Sequence, residues 1–328
     1  MLTESDAQCD GGRLRGFPEP VVEPDFGEVR VRIEAFAVNP LDAMRRSGAS
    51  PGPVPLPHAR LGIEGAGVID AIGPEVVGLE VGDPVIITAI PDSAVRGSYA
   101  DHTTIPAAWV IPRPAELDLE HAAAIWVAYS TAYGALVEAA TMRPNDRVLI
   151  AGASGAVGRA AIQIATQIGA LPIAVTRDTA KTDDLLQTGA VRVIVADEVD
   201  MVDVVHRETD GAGADIVLDL VRGPGQQNLL RATRSSGVLV AAGYLDHRPT
   251  PEAGATPVAV INYRGYDKLL DPIVVQRMTA FLNAGVSLGT LRPAIDTVFG
   301  FGDVVEAHRR FESRRHCGRK ILIRTETS

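Results

Sequence analysis

Residues 150–161, IAGASGAVGRAA, have the residue types and the spacing to hold a pyrophosphate. Gly152, Gly155 and Gly158 supply a backbone that turns tightly, approaches phosphate oxygens and lets a helix pack close to a sheet. The N–H groups of Ser154, Gly155, Ala156, Val157 and Gly158 then stand where a helix begins, and unbonded amides there attract anions. The spacing is G-x-x-G-x-x-G; the commoner form would need glycine at Ala153. Context carries the reading. The apolar run RVLI precedes the glycines, and Ala161, Ile164, Ala165 and Ile168 recur after them at helical spacing. Strand, turn and helix together predict a dinucleotide site, with a ligand-free βα turn as the plain alternative.

Such a turn needs a parallel sheet beneath it. From about residue 120 the pattern supplies one: a helix over 120–140, a turn at Pro144-Asn145-Asp146, and strands at 147–151, 173–176, 191–195, 215–220 and 237–242. Residues 258–261 offer a sixth strand. Helical stretches between strands imply a doubly wound α/β sheet with right-handed crossovers. Residues 272–324 then read as helix, strand, helix and a closing apolar run, Ile321 to Ile323. Upstream, residues 27–112 read as antiparallel β. Val29, Val31, Ile33 and Ala35 alternate with Arg30, Arg32 and Glu34, the mark of a half-buried strand. Pro51, Pro53, Pro55 and Pro57 predict an extended loop, and the first 26 residues carry only a weak strand signal.

At 328 residues the chain is long enough for two domains, and its 46% hydrophobic and 22% charged content is that of an ordinary globular protein. A net charge of −10 argues against nucleic acid or an anionic membrane as partner, since both reward basic patches. Cys9 and Cys317 alone give neither a disulfide framework nor a cysteine-rich zinc site. The opening residues, MLTESDAQCDGG, lack an apolar signal core, and no apolar run reaches membrane-spanning length, so a cytoplasmic location is expected. His58 follows the proline loop; the other six histidines show no ligand spacing.

The segments VNPLD (38–42), GIEGAGVIDAIG (62–73), VGDPV (81–85), STAYGAL (130–136), the glycine turn and EAHRRFES (306–313) occur in an order that resembles the medium-chain dehydrogenase/reductase superfamily. The resemblance implies a Rossmann doubly wound parallel-sheet domain and a GroES-like, mostly antiparallel β catalytic domain. That catalytic domain would be split, with 1–120 and 264–328 flanking a nucleotide domain at 121–263. It implies a homodimer joined through edge strands. Zinc-dependent members hold their catalytic metal at positions that correspond here to Asn39, Ile63 and Val127, none of them a good zinc ligand. The chain is thus similar to the zinc-independent quinone oxidoreductase group, and no zinc is expected.

The second nucleotide-domain strand ends at Thr176, followed by Arg177 and, four residues on, Lys181. An acidic residue there would select NAD; an arginine suits the 2′-phosphate, so NADPH is expected over NADH. Asp178 is the counterweight. Ala196 stands where quinone reductases often carry a tyrosine, and so does Met44. By resemblance Thr131 lies near the nicotinamide, with Gly243 and Tyr244 at the carboxyl edge of the sheet. Without zinc, the easier hydride acceptor is a quinone or an α,β-unsaturated carbonyl. Its developing negative oxygen needs donors, for which Asn39, Tyr129, Ser130 and Arg264 are candidates, and its proton would come from Tyr129 or water. Duller roles stand beside these: Asn39 as a helix cap, Tyr129 as pocket wall, Arg264 as a brace, Asp42 as an orienter. Two further functions remain open, a C=C reductase dedicated to a polyketide-like intermediate and a nucleotide-binding protein without turnover.

Overall fold

The structure, a computed structural model, describes residues 3–10, 13–49, 59–88, 90–252, 254 and 256–325. The prolines of residues 51–57 and His58 lie outside the described residues. The chain forms two compact units, Met1–Val127 with Pro293–Ser328 and Ala128–Arg292.

In the first unit, β1 (Thr3–Asp10) and β2 (Arg13–Glu19) form an antiparallel hairpin, a firmer structure than the weak strand signal suggested. β3 (Glu28–Ala37) follows, with Val29, Val31 and Ile33 buried and the charged residues between them partly exposed, as the alternation requires. The chain continues through α1 (Pro40–Arg46), β4 (Ala59–Arg60), β5 (Gly65–Ile72), β6 (Pro84–Ile87), α2 (Ser93–Arg96), β7 (His102–Pro106) and β8 (Val110–Pro112). α3 (Leu119–Tyr133) carries the chain across the boundary between units and widens into a π-helical turn over Gly134–Ala139. Gly134 leaves room for the Tyr263 side chain, whose hydroxyl a Cβ there would displace.

The second unit alternates β9 (Arg147–Ala151), α4 (Ala156–Ile168), β10 (Leu171–Thr176), α5 (Thr182–Gln187), β11 (Arg192–Val195), α6 (Met201–Glu208), β12 (Ala214–Asp219), α7 (Gln226–Ala232), β13 (Thr233–Ala241) and β14 (Ala259–Asn262). Its six strands are all parallel, in the order β11-β10-β9-β12-β13-β14. Two mononucleotide-type halves therefore meet between β9 and β12, the switch point at which such sheets bind ligands. α8 (Gly265–Leu269) and α9 (Pro272–Ser287) stay with this unit. Phe281 packs its ring 5.1 Å from that of Tyr133, and Arg277 makes two bonds, 3.0 and 2.6 Å, to Glu138. These contacts hold α9 on the nucleotide unit, so the return to the first unit begins at Pro293 rather than at 264.

The return adds β15 (Ile295–Gly300), α10 (Val304–Glu312) and β16 (Lys320–Arg324). They complete a seven-stranded sheet ordered β15-β16-β3-β5-β6-β8, with β7 on β3. β16 and β5 both run antiparallel to β3, on either side of it. Their first residues therefore lie beside the end of β3.

Candidate active site

That register gathers three residues far apart in sequence. Lys320 opens β16, Asn39 lies just beyond β3, and Glu64 just before β5. Lys320, only 5% exposed, donates from Nζ to Asn39 Oδ1 at 2.8 Å and to Glu64 Oε1. Asn39 Nδ2 donates to Glu64 Oε1 at 2.9 Å and to the Ala37 carbonyl at 3.2 Å. Glu64 Oε2 takes the Val127 N–H at 2.8 Å. A buried carboxylate without a cation would be costly, and here the lysine supplies the cation.

Asp42, fully buried, belongs to the same corner. Its Oδ2 accepts the Asn39 N–H and its Oδ1 the Gly62 N–H, both at 2.9 Å. Burial pushes its carboxyl up to about 6, against those two hydrogen bonds, which favour the charged form. Its contacts make it a tether between the start of α1 and the Gly62 bend. Both amide hydrogens of Asn39 are engaged within the cluster, so its side chain is a brace and not a ready donor to an oxyanion. Ile63, the remaining position that the resemblance matched to a zinc ligand, is a buried apolar side chain. Among the described residues no group of three or more His, Cys, Asp or Glu could share a metal ion.

The nucleotide elements lie in the second unit. Gly152 turns the chain after β9 at φ +75°, a conformation that side chains disfavour. A Cβ on Gly158 would meet the Ala153 carbonyl oxygen at 2.5 Å, so only glycine lets α4 sit this close to the turn. Ala156, Val157 and Gly158 form the first turn of α4, whose N–H groups have no carbonyl one turn back. Arg159, buried in α4, donates to the Ser154 carbonyl at 3.2 Å and pairs with Asp184, fixing the turn from behind. These residues fit a bound pyrophosphate.

At the end of β10, Thr176 is buried and its Oγ1 takes the Asp178 N–H at 3.2 Å. Asp178 is occupied locally: its carboxylate accepts the Ala180 N–H at 3.0 Å and lies 3.9 Å from Lys181 Nζ. Arg177 is exposed, with no ion-pair partner among the described residues. Gly243 follows β13, where a Cβ would collide with the Leu220 carbonyl, and the neighbouring Tyr244 is 49% exposed. Thr131 is half-buried on α3, facing the start of α8 near Gly265, and Arg264 is exposed at the N-cap of α8.

Tyr129 is bound within the second unit. It is 2% exposed, its hydroxyl donates to Gln163 Oε1 at 2.6 Å, and burial raises its pKa far above the ordinary tyrosine value. A phenol held so is a packing anchor on α4 and a poor proton donor. Its neighbour Ser130 is buried too. Lys320, Arg159 and Gln163 were not foreseeable from sequence, because an isolated polar residue carries no periodic or motif signal of its own.

The chain matches the family model for an alcohol dehydrogenase GroES-like domain over residues 25–115 and the model for zinc-binding dehydrogenase over residues 188–322. It is 30% identical to a quinone oxidoreductase of Sus scrofa over 307 residues, 92% of this chain and 90% of that one. It is 31% identical, over 92% of its length, to 14% of a phenolphthiocerol/phthiocerol polyketide synthase polypeptide of Mycobacterium tuberculosis. A solved NAD-dependent alcohol dehydrogenase superposes with a TM-score of 0.84 at 30% identity, covering 98% of this chain and all of the other. The chain belongs to the medium-chain dehydrogenase/reductase superfamily. It is an oxidoreductase of that type, and the family works with a nicotinamide cofactor. No helix among the described residues is long and apolar enough to cross a membrane.

Proposed function

We propose that this protein is a zinc-independent, NADPH-dependent reductase of quinones or α,β-unsaturated carbonyls. The observation that carries the reading is that Asn39, one of the three positions matched to zinc ligands, is bound up with the buried Lys320–Glu64 pair. An ammonium and an amide do not ligate zinc and the Glu64 carboxylate is held by the lysine, which supports an acceptor that needs no Lewis acid. A reduced nicotinamide, when bound, would supply a hydride, one hydrogen with two electrons, for the β-carbon of an enone or for a quinone. The chain's own part is to hold the pyrophosphate on Gly152–Gly158 and the first turn of α4, with Thr131, Gly243 and Tyr244 lining the nicotinamide half. Arg177 supports NADPH, since its charge is unpaired while Asp178 is tied to its own turn. The engaged Tyr129 leaves water as the source of the proton that completes the reduction. A homodimer formed through the exposed edge of β14 fits the same reading.

The likeness to part of a polyketide synthase favours a second reading, reduction of an enoyl thioester. One assay separates them: oxidation of NADPH and NADH, followed with quinones, enones and enoyl thioesters in parallel. Turnover of quinones or enones with NADPH preferred is the expected result. Preference for the thioester selects the second reading, equal rates with NADH overturn the role of Arg177, and stoichiometric zinc in the purified protein overturns the metal-free chemistry. An Arg177→Glu variant should lower the NADPH-to-NADH preference by about 10- to 100-fold.

A further inference from the structure

The loop after β12 holds a residue in a backbone state that is open almost only to glycine. Arg222 has φ 62° and ψ −153°. Such a conformation is costly for an arginine and persists only where its surroundings impose it. Asp219, fully buried at the end of β12, does so: its Oδ1 accepts the Val221 N–H at 2.9 Å and the Arg222 N–H at 2.7 Å, and its Oδ2 takes Gln226 Nε2 at 2.8 Å. The loop after β13 is tied to it, with the Asp246 N–H on the Val221 carbonyl at 2.9 Å and the Gly223 N–H on Thr250 Oγ1 at 3.0 Å.

The guanidinium so placed carries an uncompensated charge. Its Cζ lies 5.2 Å from the centre of the half-exposed Tyr244 ring. Nη2 donates to two neutral acceptors, Asn262 Oδ1 at 3.0 Å and the Ala241 carbonyl at 3.3 Å, and Nε is buried without a partner. Among the described residues no carboxylate lies within ion-pair distance of it. Arg264, exposed two residues beyond Asn262, adds a second cation at the same edge.

Its place in the sheet indicates what it would meet. Val221 and Leu220 lie against the glycine turn, 3.2 and 3.4 Å from where a Cβ on Gly152 would stand. The guanidinium itself reaches the other way, over the carboxyl ends of β13 and β14. That is the half of the sheet opposite Arg177, hence the nicotinamide half, while the pyrophosphate is accounted for by α4 and the glycine turn. We propose that Arg222 is a specificity-determining residue that receives a carboxylate carried by the acceptor. This rests on the reductase reading above for the identity of the acceptor, though not for the binding of the anion. With both Nη2 hydrogens fixed by neutral groups and Nε buried, Nη1 is the donor left to meet a carboxylate oxygen.

The test pairs turnover with binding. Turnover compares an enone bearing a carboxylate with its methyl ester, in the wild type and in Arg222→Gly. Glycine accepts the backbone angles, so this variant should fold and melt at a higher temperature than the wild type. The ratio of kcat/KM for acid over ester should favour the acid in the wild type and fall about 10- to 100-fold in the variant, chiefly through KM. A wild type indifferent to the carboxylate, or a ratio unmoved by the substitution, overturns the proposal. So does an equal loss for acid and ester accompanied by weaker NADPH binding, which would place a cofactor phosphate on Arg222. Calorimetry with a saturated, unreactive carboxylate and its ester on the NADPH-bound protein reads the anion site without chemistry. Carboxylate-selective binding lost in Arg222→Gly sustains the proposal even where no acceptor turns over and the reductase reading fails; absence of that selectivity overturns it.

Discussion

Lys320 and Glu64 hold each other's charge inside the first unit, and neither is replaceable alone. In Lys320→Met the Glu64 carboxylate keeps two neutral donors, Asn39 Nδ2 and the Val127 N–H, but loses its cation. Stranding a buried charge in this way should cost about 3–5 kcal/mol in urea unfolding. Lys320→Met combined with Glu64→Gln should recover a large part of that loss, because the double change removes both charges. Additive losses in the double variant would show that the two residues act separately. The same cluster explains why Asn39 braces rather than donates: its amide hydrogens are already placed.

Among the elements, the close contact between the β9–α4 turn and α4 itself is where the proposed nucleotide site is best tested. Gly158→Ala puts a methyl group 2.5 Å from the Ala153 oxygen and 2.6 Å from the Gly152 oxygen, both backbone atoms with little room to yield. α4 must then tilt or slide outward, carrying its first-turn amides away from the phosphate position. The expected result is a loss of about 1–3 kcal/mol in stability and a dissociation constant for NADPH raised roughly tenfold or more, read by nicotinamide fluorescence. Unchanged affinity would mean that phosphates are held elsewhere. Gly155 gives a contrasting control, since a Cβ there meets only the Gly152 oxygen, at 3.3 Å. Gly155→Ala should therefore perturb the fold less than Gly158→Ala.

Across the molecule, two buried groups set opposing responses to acid. His308 is 2% exposed and bonded through Nε2 to the Tyr99 hydroxyl at 3.1 Å, and burial lowers its pKa to about 4. The unfolded chain then binds more protons than the folded one, so this group costs stability as pH falls from about 6.5 to 4. Asp42, raised to about 6, works in reverse: the folded state binds the proton first, and stability rises as pH falls from about 6 towards 3.8. At about 1.36 kcal/mol per unit, each amounts to roughly 3 kcal/mol at most, and the two nearly cancel. His308→Gln, which keeps an acceptor for Tyr99, should leave a protein that gains stability between pH 6 and 4 relative to the wild type. Asp42→Asn should leave one that loses it. Parallel profiles in urea melts of all three proteins would refute the assignment of these two groups.

The nucleotide unit was legible from its residues alone. Period-2 and period-3.6 patterns depend on local geometry, so its strands emerge within a few residues of where the apolar runs put them, and β9 coincides with the expected 147–151. The glycine turn was equally legible, because Gly152 and Gly158 answer to backbone sterics a few residues away. The ordered motifs carried the split GroES-like plan in the same way. The extent of the return did not follow from sequence, since α9 reads as an apolar helix whichever unit it joins and contacts such as those of Phe281 and Arg277 assign it. Nor did the roles of single polar residues. Asn39, Tyr129 and Asp42 have the chemistry of donors and acids, yet what each does depends on which group its hydrogen bonds reach. Those partners, Lys320 from 281 residues away and Gln163 from 34, are brought near only by strand register and helix packing. Long-range packing therefore decides that a lysine cation stands against Asn39 and Glu64, and that the Arg222 guanidinium lies over the ends of β13 and β14.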